Sequence, residues 1–150
     1  MKGQEPFDAA RYGGLLGSVA ERSAFNRWLG LQIAEVREGD VELRLSWREE
    51  LGQYDGYLHA GVVAALLDTV CGFAAVTVVG GVLASQVSVR YLRPAISELF
   101  IARGRVVKPG RLQTFAAGEL FGLTDGDAKP FATADVLFVP LPQEARASSA

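Results

Sequence analysis

The sequence predicts an α+β fold in which an antiparallel sheet is wrapped around one long buried helix. Three observations predict it. Residues 60–79 (AGVVAALLDTVCGFAAVTVV) carry a single charge, Asp68, and are apolar on almost every side. That run is too long for an ordinary strand and suits a helix buried all round. The segments on both sides alternate apolar and polar residues with strand period. The connections among the later strands are of hairpin length, too short for crossovers, so those strands are antiparallel. A helix without a polar face must be enclosed, and a curled sheet is the economical enclosure.

The bulk composition agrees with a single globular domain. The chain has 150 residues, 49% hydrophobic and 21% charged, with a net charge of −2. A nucleic-acid binder would show a basic excess, which this chain lacks. The single Cys71 excludes an intrachain disulfide and a Cys-based zinc site, and it fits a reducing, cytoplasmic setting. The first residues, MKGQEPFDAARYGG, lack the apolar core of a signal peptide. The run from Ala60 to Ala84 is long enough for a membrane span. However, Asp68 at its centre would cost roughly 2.5–3.5 kcal/mol in a bilayer. Gly80-Gly81 also interrupts it, and a core helix is the expectation. The expected organisation is an N-terminal helical extension over 1–18, one domain over 19–140 and a flexible tail over 141–150.

The elements follow in order. Residues 8–28 read as a helix broken by Gly13, Gly14 and Gly17. Phe25, Trp28 and Leu29 have helical spacing and are expected to pack on the body. LQIAEV, the turn REGD and VELRLSWR form a hairpin. In its second strand Val41, Leu43, Leu45 and Trp47 alternate with Glu42, Arg44, Ser46 and Arg48. A polar loop follows with a turn at Asp55-Gly56. The long helix stops at Gly80 and Gly81. SQVSVRYL, LFIARGRVV, LQTFAAGELFGL and FATADVLFVPL are the remaining strands, joined by turns at KPGR and TDGDAKP.

The chemistry concentrates at the start of the long helix. If His59 lies just before it, the amides of Ala60 and Gly61 belong to the first turn. There the macrodipole is positive and the N–H groups are free. Such amides can hold an oxyanion. Asp68 is the candidate base or nucleophile. It lies eight residues beyond Ala60, about 12 Å along the axis. That is too far for both to act on one carbonyl. Two antiparallel copies of the helix about a two-fold axis would bring Asp68 of one chain to the amides of the other. Gln53 can donate and accept hydrogen bonds at once, which suits orienting a water or a carbonyl. On the residues alone, Asp68 is equally readable as a structural acid satisfied across an interface.

The string GYLHAGVVAALLDT, followed by VSVRYLRPA, resembles the hotdog-fold acyl-CoA thioesterases of the phenylacetate-degradation (PaaI-like) subfamily, over roughly residues 22–140. The resemblance implies a long central helix wrapped by an antiparallel sheet. It implies a homodimer with active sites at the interface, which can pair further into a tetramer. It implies that Asp68 is base or nucleophile and that the Ala60 N–H binds the thioester oxygen. Gln53 then contacts substrate or water, and His59 orders the loop. Gly61, Tyr54, Tyr57 and Ser85 become candidate contacts for the acyl-CoA substrate. Two departures stand out. The usual His-Gly-Gly is His59-Ala60-Gly61, and the family's Ser/Thr position falls on Ala84, with Ser85 beside it on the opposite face unless a bulge intervenes.

The expected function is hydrolysis of an aryl-acetyl-CoA or medium-chain acyl-CoA, a reaction that needs neither metal nor redox cofactor. The alternatives are a dehydratase or hydratase on the same fold, and an acyl-CoA binding module without turnover. Cys71 sits in an apolar helix with no cation in the same run, and is read as core. Arg90, Arg93, Arg103, Arg105, Lys108 and Arg111 are candidates for the coenzyme A phosphates of the substrate or parts of a solvated sheet face.

Overall fold

The structure is a computed structural model that describes residues 6–123 and 129–141. Helices α1 (Ala9–Arg22) and α2 (Ala24–Leu29) precede a hairpin of β1 (Gln32–Arg37) and β2 (Asp40–Ser46). Two 3₁₀ turns, Glu49–Leu51 and Tyr54–Gly56, lead into the 20-residue helix α3 (Ala60–Val79). Four strands follow: β3 (Val82–Tyr91), β4 (Leu99–Lys108), β5 (Thr114–Gly122) and β6 (Ala132–Pro140). All six strands form one antiparallel sheet in the order β1-β2-β4-β5-β6-β3. The expected α+β architecture is therefore present. By length and composition α3 could cross a membrane, yet in this fold it is the core helix and touches all six strands.

The core forms where α3 meets the inner face of the sheet. Val63, Leu66, Leu67, Val70 and Cys71 pack against Val41, Leu43, Phe100, Leu120 and Phe138, all buried. Gly104 sets the distance between helix and sheet: a Cβ there would lie 2.6 Å from the Val70 carbonyl carbon and oxygen. Gly80 ends α3 at φ 79°, a conformation that only glycine adopts without strain. Thr77 ties the β1–β2 turn to the helix end. Its Oγ1 donates to the Ala74 carbonyl at 2.7 Å and accepts from the Gly39 N–H at 2.7 Å.

The structure departs from the expectations in four places. First, α3 is not buried all round. Ala64, Ala65, Asp68, Thr69, Gly72 and Val76 are only half-buried. Their three- and four-residue spacing makes one stripe that the sheet covers only in part. Second, α1 runs unbroken through Gly13, Gly14 and Gly17, and the break falls at Ser23. Asp8 caps α1 by accepting from the Arg11 N–H at 2.9 Å, and Ser23 caps α2 by accepting from the Asn26 N–H at 3.2 Å. In α1 the Asp8 cap, the Ser23 N–H closing the last turn on the Ala20 carbonyl and the burial of Leu16 work against a propensity cost of about 1 kcal/mol per glycine. Third, Leu29 is buried as expected, but Phe25 and Trp28 lie outward and pack on each other. Fourth, Glu42 faces outward with Arg44 yet is 8% exposed. Arg44 and Arg103 cover it with ion pairs of 3.0 Å each. The turn expected at Asp125-Gly126 lies outside the described residues, as does the tail from 142 on.

Candidate active site

The loop from Leu51 to His59 is fixed by its own backbone. The His59 N–H donates to the Leu51 carbonyl at 2.9 Å, and the Gln53 N–H donates to the Tyr57 carbonyl at 2.8 Å. Asp55 (φ 59°) and Gly56 (φ 72°) make the turn between them, where the sequence placed it. The loop delivers His59 as the N-cap of α3. Its Nδ1 accepts from the Gly61 N–H at 2.9 Å, so this nitrogen carries no proton in the cap. The next helical amides, of Val62 and Val63, donate to the His59 carbonyl at 2.9 and 3.0 Å. That leaves the Ala60 N–H, which donates to no acceptor among the described residues. Of the two first-turn amides considered in the sequence, Gly61 is taken and Ala60 is open.

A cavity of about 320 Å³ opens beside this amide, walled by Gln53, Tyr57, Ala60, Tyr91, Arg93 and Phe131 among others. Asp68 is not part of its wall. It lies two turns further along α3, in the half-buried stripe. Its Oδ1 is buried and has no hydrogen-bond partner among the described residues. Burial pushes its pKa above the ordinary value of 3.8. A buried acceptor left unpaired costs about 1–3 kcal/mol or more. Such a cost, together with the raised pKa, marks Asp68 as a candidate functional group.

A family profile described as "Thioesterase superfamily" matches residues 55–129, a segment that includes Ala60 and Asp68. A Halobacterium salinarum protein named "Putative esterase" is 31% identical over 129 residues, covering 81% of this chain and 83% of that protein. The chain belongs to the thioesterase superfamily. Among solved structures, a thioesterase family protein from Silicibacter pomeroyi has a TM-score of 0.80 at 34% identity, covering 85% of this chain and 96% of that chain. The E. coli PaaI protein from the phenylacetic acid degradation operon has a TM-score of 0.81, covering 90% of this chain and 97% of that chain. At 18% identity it shows the hotdog fold alone.

Within this thioesterase-superfamily fold the remaining candidates separate clearly. Tyr57 and Arg93 join Gln53 and Ala60 at the cavity. The Arg93 guanidinium stacks over the Phe131 ring at 4.0 Å and donates to the Lys129 carbonyl. Tyr54 is 76% exposed and outside the cavity wall. Arg90 pairs with Asp135 at 2.7 Å. It lies on the sheet face opposite Tyr91, away from the cavity, because successive strand residues alternate sides. A bulge does intervene at Ser85: Ala84 pairs with Phe138 and Gln86 with Leu137, which leaves Ser85 as the extra residue. Its hydroxyl donates to the Leu137 carbonyl at 3.2 Å. Cys71 is buried and its thiol is pushed up to about 12, mainly by that burial and also by the Asp68 charge, consistent with a core residue. Among the described residues no three His, Cys, Asp or Glu side chains gather in a metal-holding group.

Tyr91 is the residue the sequence reading passed over as a possible site group. Its hydroxyl donates to the Ala60 carbonyl at 3.0 Å. The available signal was a tyrosine closing an otherwise aliphatic alternation, Val87, Val89, Tyr91.

Proposed function

We propose that this chain is an acyl-CoA thioesterase of the PaaI-like kind, working as a homodimer with active sites shared between subunits. The observation that carries the reading is the orphaned, buried Oδ1 of Asp68 on a half-covered stripe of α3. Along one helix Asp68 and Ala60 are separated by about 12 Å of rise. A second copy packed antiparallel on the stripe places the partner's Asp68 near the Ala60 amide. Strand β3 supports the same arrangement. It is an edge of the sheet, ten residues long, and exposes Leu83, Val87 and Tyr91. A long edge with exposed apolar residues calls for cover.

The reaction follows from these groups. Water attacks the thioester carbonyl carbon while the partner's Asp68 accepts its proton. The raised pKa of Asp68 makes it a stronger base than an exposed carboxylate. The carbonyl oxygen gains the electron pair and is held by the Ala60 N–H. Gln53 orients water or substrate. The tetrahedral adduct then expels the coenzyme A thiolate, which takes up a proton, and the free acid remains. In a second route Asp68 attacks directly and water cleaves the resulting anhydride. The aromatic walls Tyr57, Tyr91 and Phe131 suit an aryl-acetyl or medium-chain acyl group. A dehydratase would need its histidine for proton transfer, whereas His59, the chain's only histidine, is engaged with Gly61.

The test is a panel of acyl-CoA thioesters with detection of the released thiol, run on wild type and Asp68→Asn. The variant is expected to lose kcat by ~10²–10⁴ while retaining substrate binding. Equal turnover would remove Asp68 from the mechanism. Binding without thiol release by the wild type would replace the enzyme with a binding module.

A further inference from the structure

An oxyanion donor made of one backbone N–H is only as good as its aim. The aim of the Ala60 N–H depends on the two peptide units that flank the residue. On one side, the His59 carbonyl is held by the Val62 and Val63 amides. On the other, the Ala60–Gly61 peptide is held at both polar ends. Its N–H donates to His59 Nδ1 at 2.9 Å, and its carbonyl accepts from the Tyr91 hydroxyl at 3.0 Å. The first three contacts come from the end of α3 itself. The fourth comes from the last residue of β3, so it ties the helix start to the sheet.

We infer that Tyr91 is a positioning residue, whose hydroxyl fixes the Ala60–Gly61 peptide so that the Ala60 N–H faces the cavity. The inference rests on the reading of Ala60 as the oxyanion donor. Packing does not explain the hydroxyl. One neutral hydrogen bond adds little net stability, because folding exchanges it for bonds to water. A phenylalanine would offer the same ring to the cavity wall. What the hydroxyl adds is direction, at an element boundary where α3 would otherwise fray.

Tyr91→Phe tests this by removing the hydroxyl alone. Misalignment of an oxyanion donor acts on the transition state more than on the bound substrate. The expected result is therefore a kcat lower by about tenfold with KM and Tm nearly unchanged. A merely structural role would lower Tm and move KM instead. Amide exchange at Gly61 gives a readout independent of turnover, and it is expected to quicken several-fold in the variant. A kcat within about twofold of wild type overturns the inference, as does an unchanged Gly61 exchange rate. If the wild type releases no thiol from any acyl-CoA, the proposed function fails by itself. Gly61 exchange then decides the Tyr91 anchor: faster exchange supports it and unchanged exchange refutes it.

Discussion

Ala60→Pro is a nearly pure deletion of one N–H. Ala60 is the first residue of α3, the helical position where proline is best tolerated. His59 before it has φ −60° and ψ 134°, the extended conformation that a residue preceding proline prefers. The Ala60 N–H has no acceptor among the described residues, so the substitution breaks no recorded hydrogen bond. Folding should therefore be unharmed, and the stiffer unfolded chain should add about 0.4–1 kcal/mol, or about 1–4 °C in Tm. Catalysis should respond in the opposite sense. Removing one oxyanion donor costs about 10²–10³ in kcat, equivalent to about 2.7–4 kcal/mol. The assay is thiol release from an acyl-CoA, beside a thermal melt. Because the proline Cδ takes the place of the amide hydrogen, binding of a non-hydrolysable thioether analogue is measured in parallel. The reasoning requires kcat to fall far more than analogue affinity. A variant with kcat within a few-fold of wild type, and a normal melt, would refute the role given to this amide.

Other consequences reach beyond that amide. Burial raises the pKa of Asp68, so the folded chain holds that proton more tightly than the unfolded chain. Stability is then lost as pH rises from near 3.8 through the raised folded value. Asp68→Asn lacks this term, so its Tm should exceed that of wild type at pH 7, with the gap closing toward pH 4 in paired melts. Gly104→Ala drives a Cβ to 2.6 Å from the Val70 carbonyl group, where backbone cannot yield. It should cost about 3 kcal/mol, or about 6–12 °C in Tm; an unchanged melt would show that α3 and β4 separate freely. Cys71, with its thiol pushed up to about 12, should remain unlabelled by a disulfide reagent at pH 8 until denaturant is added. Labelling of the native protein at the rate of a free thiol would contradict its burial.

The architecture was legible because its signals are local. A run of twenty apolar residues and a set of two-residue alternations need no knowledge of distant partners. The Asp55-Gly56 turn and the Gly80 stop were readable for the same reason. What escaped depends on contacts far along the chain. Glu42 sits in an outward position of β2, and nothing in VELRLSWR says that Arg103, 61 positions on, will cover it. The Ser85 bulge is a matter of register against β6. The unbroken α1 reflects its Asp8 cap and the seating of Leu16 in the core, a contact the sequence around the glycines does not show. The site was half legible. Motif and helix geometry named Ala60 and Asp68 and required that they be apart. The stripe that leaves Asp68 half-buried, and the Tyr91 contact on Ala60, emerged only with the sheet in place.

The central claim is that each active site draws Asp68 from one subunit and the Ala60 amide from the other. Two inactive variants test it directly. Asp68→Asn and Ala60→Pro chains are unfolded together, refolded as a mixture and assayed for acyl-CoA hydrolysis. Random pairing makes half the dimers mixed, and each mixed dimer regains one of its two sites. Activity should therefore return to about a quarter of wild type. A mixture as inactive as its parents, with mixed dimers demonstrably formed, would place both groups in a single chain's site and contradict the account.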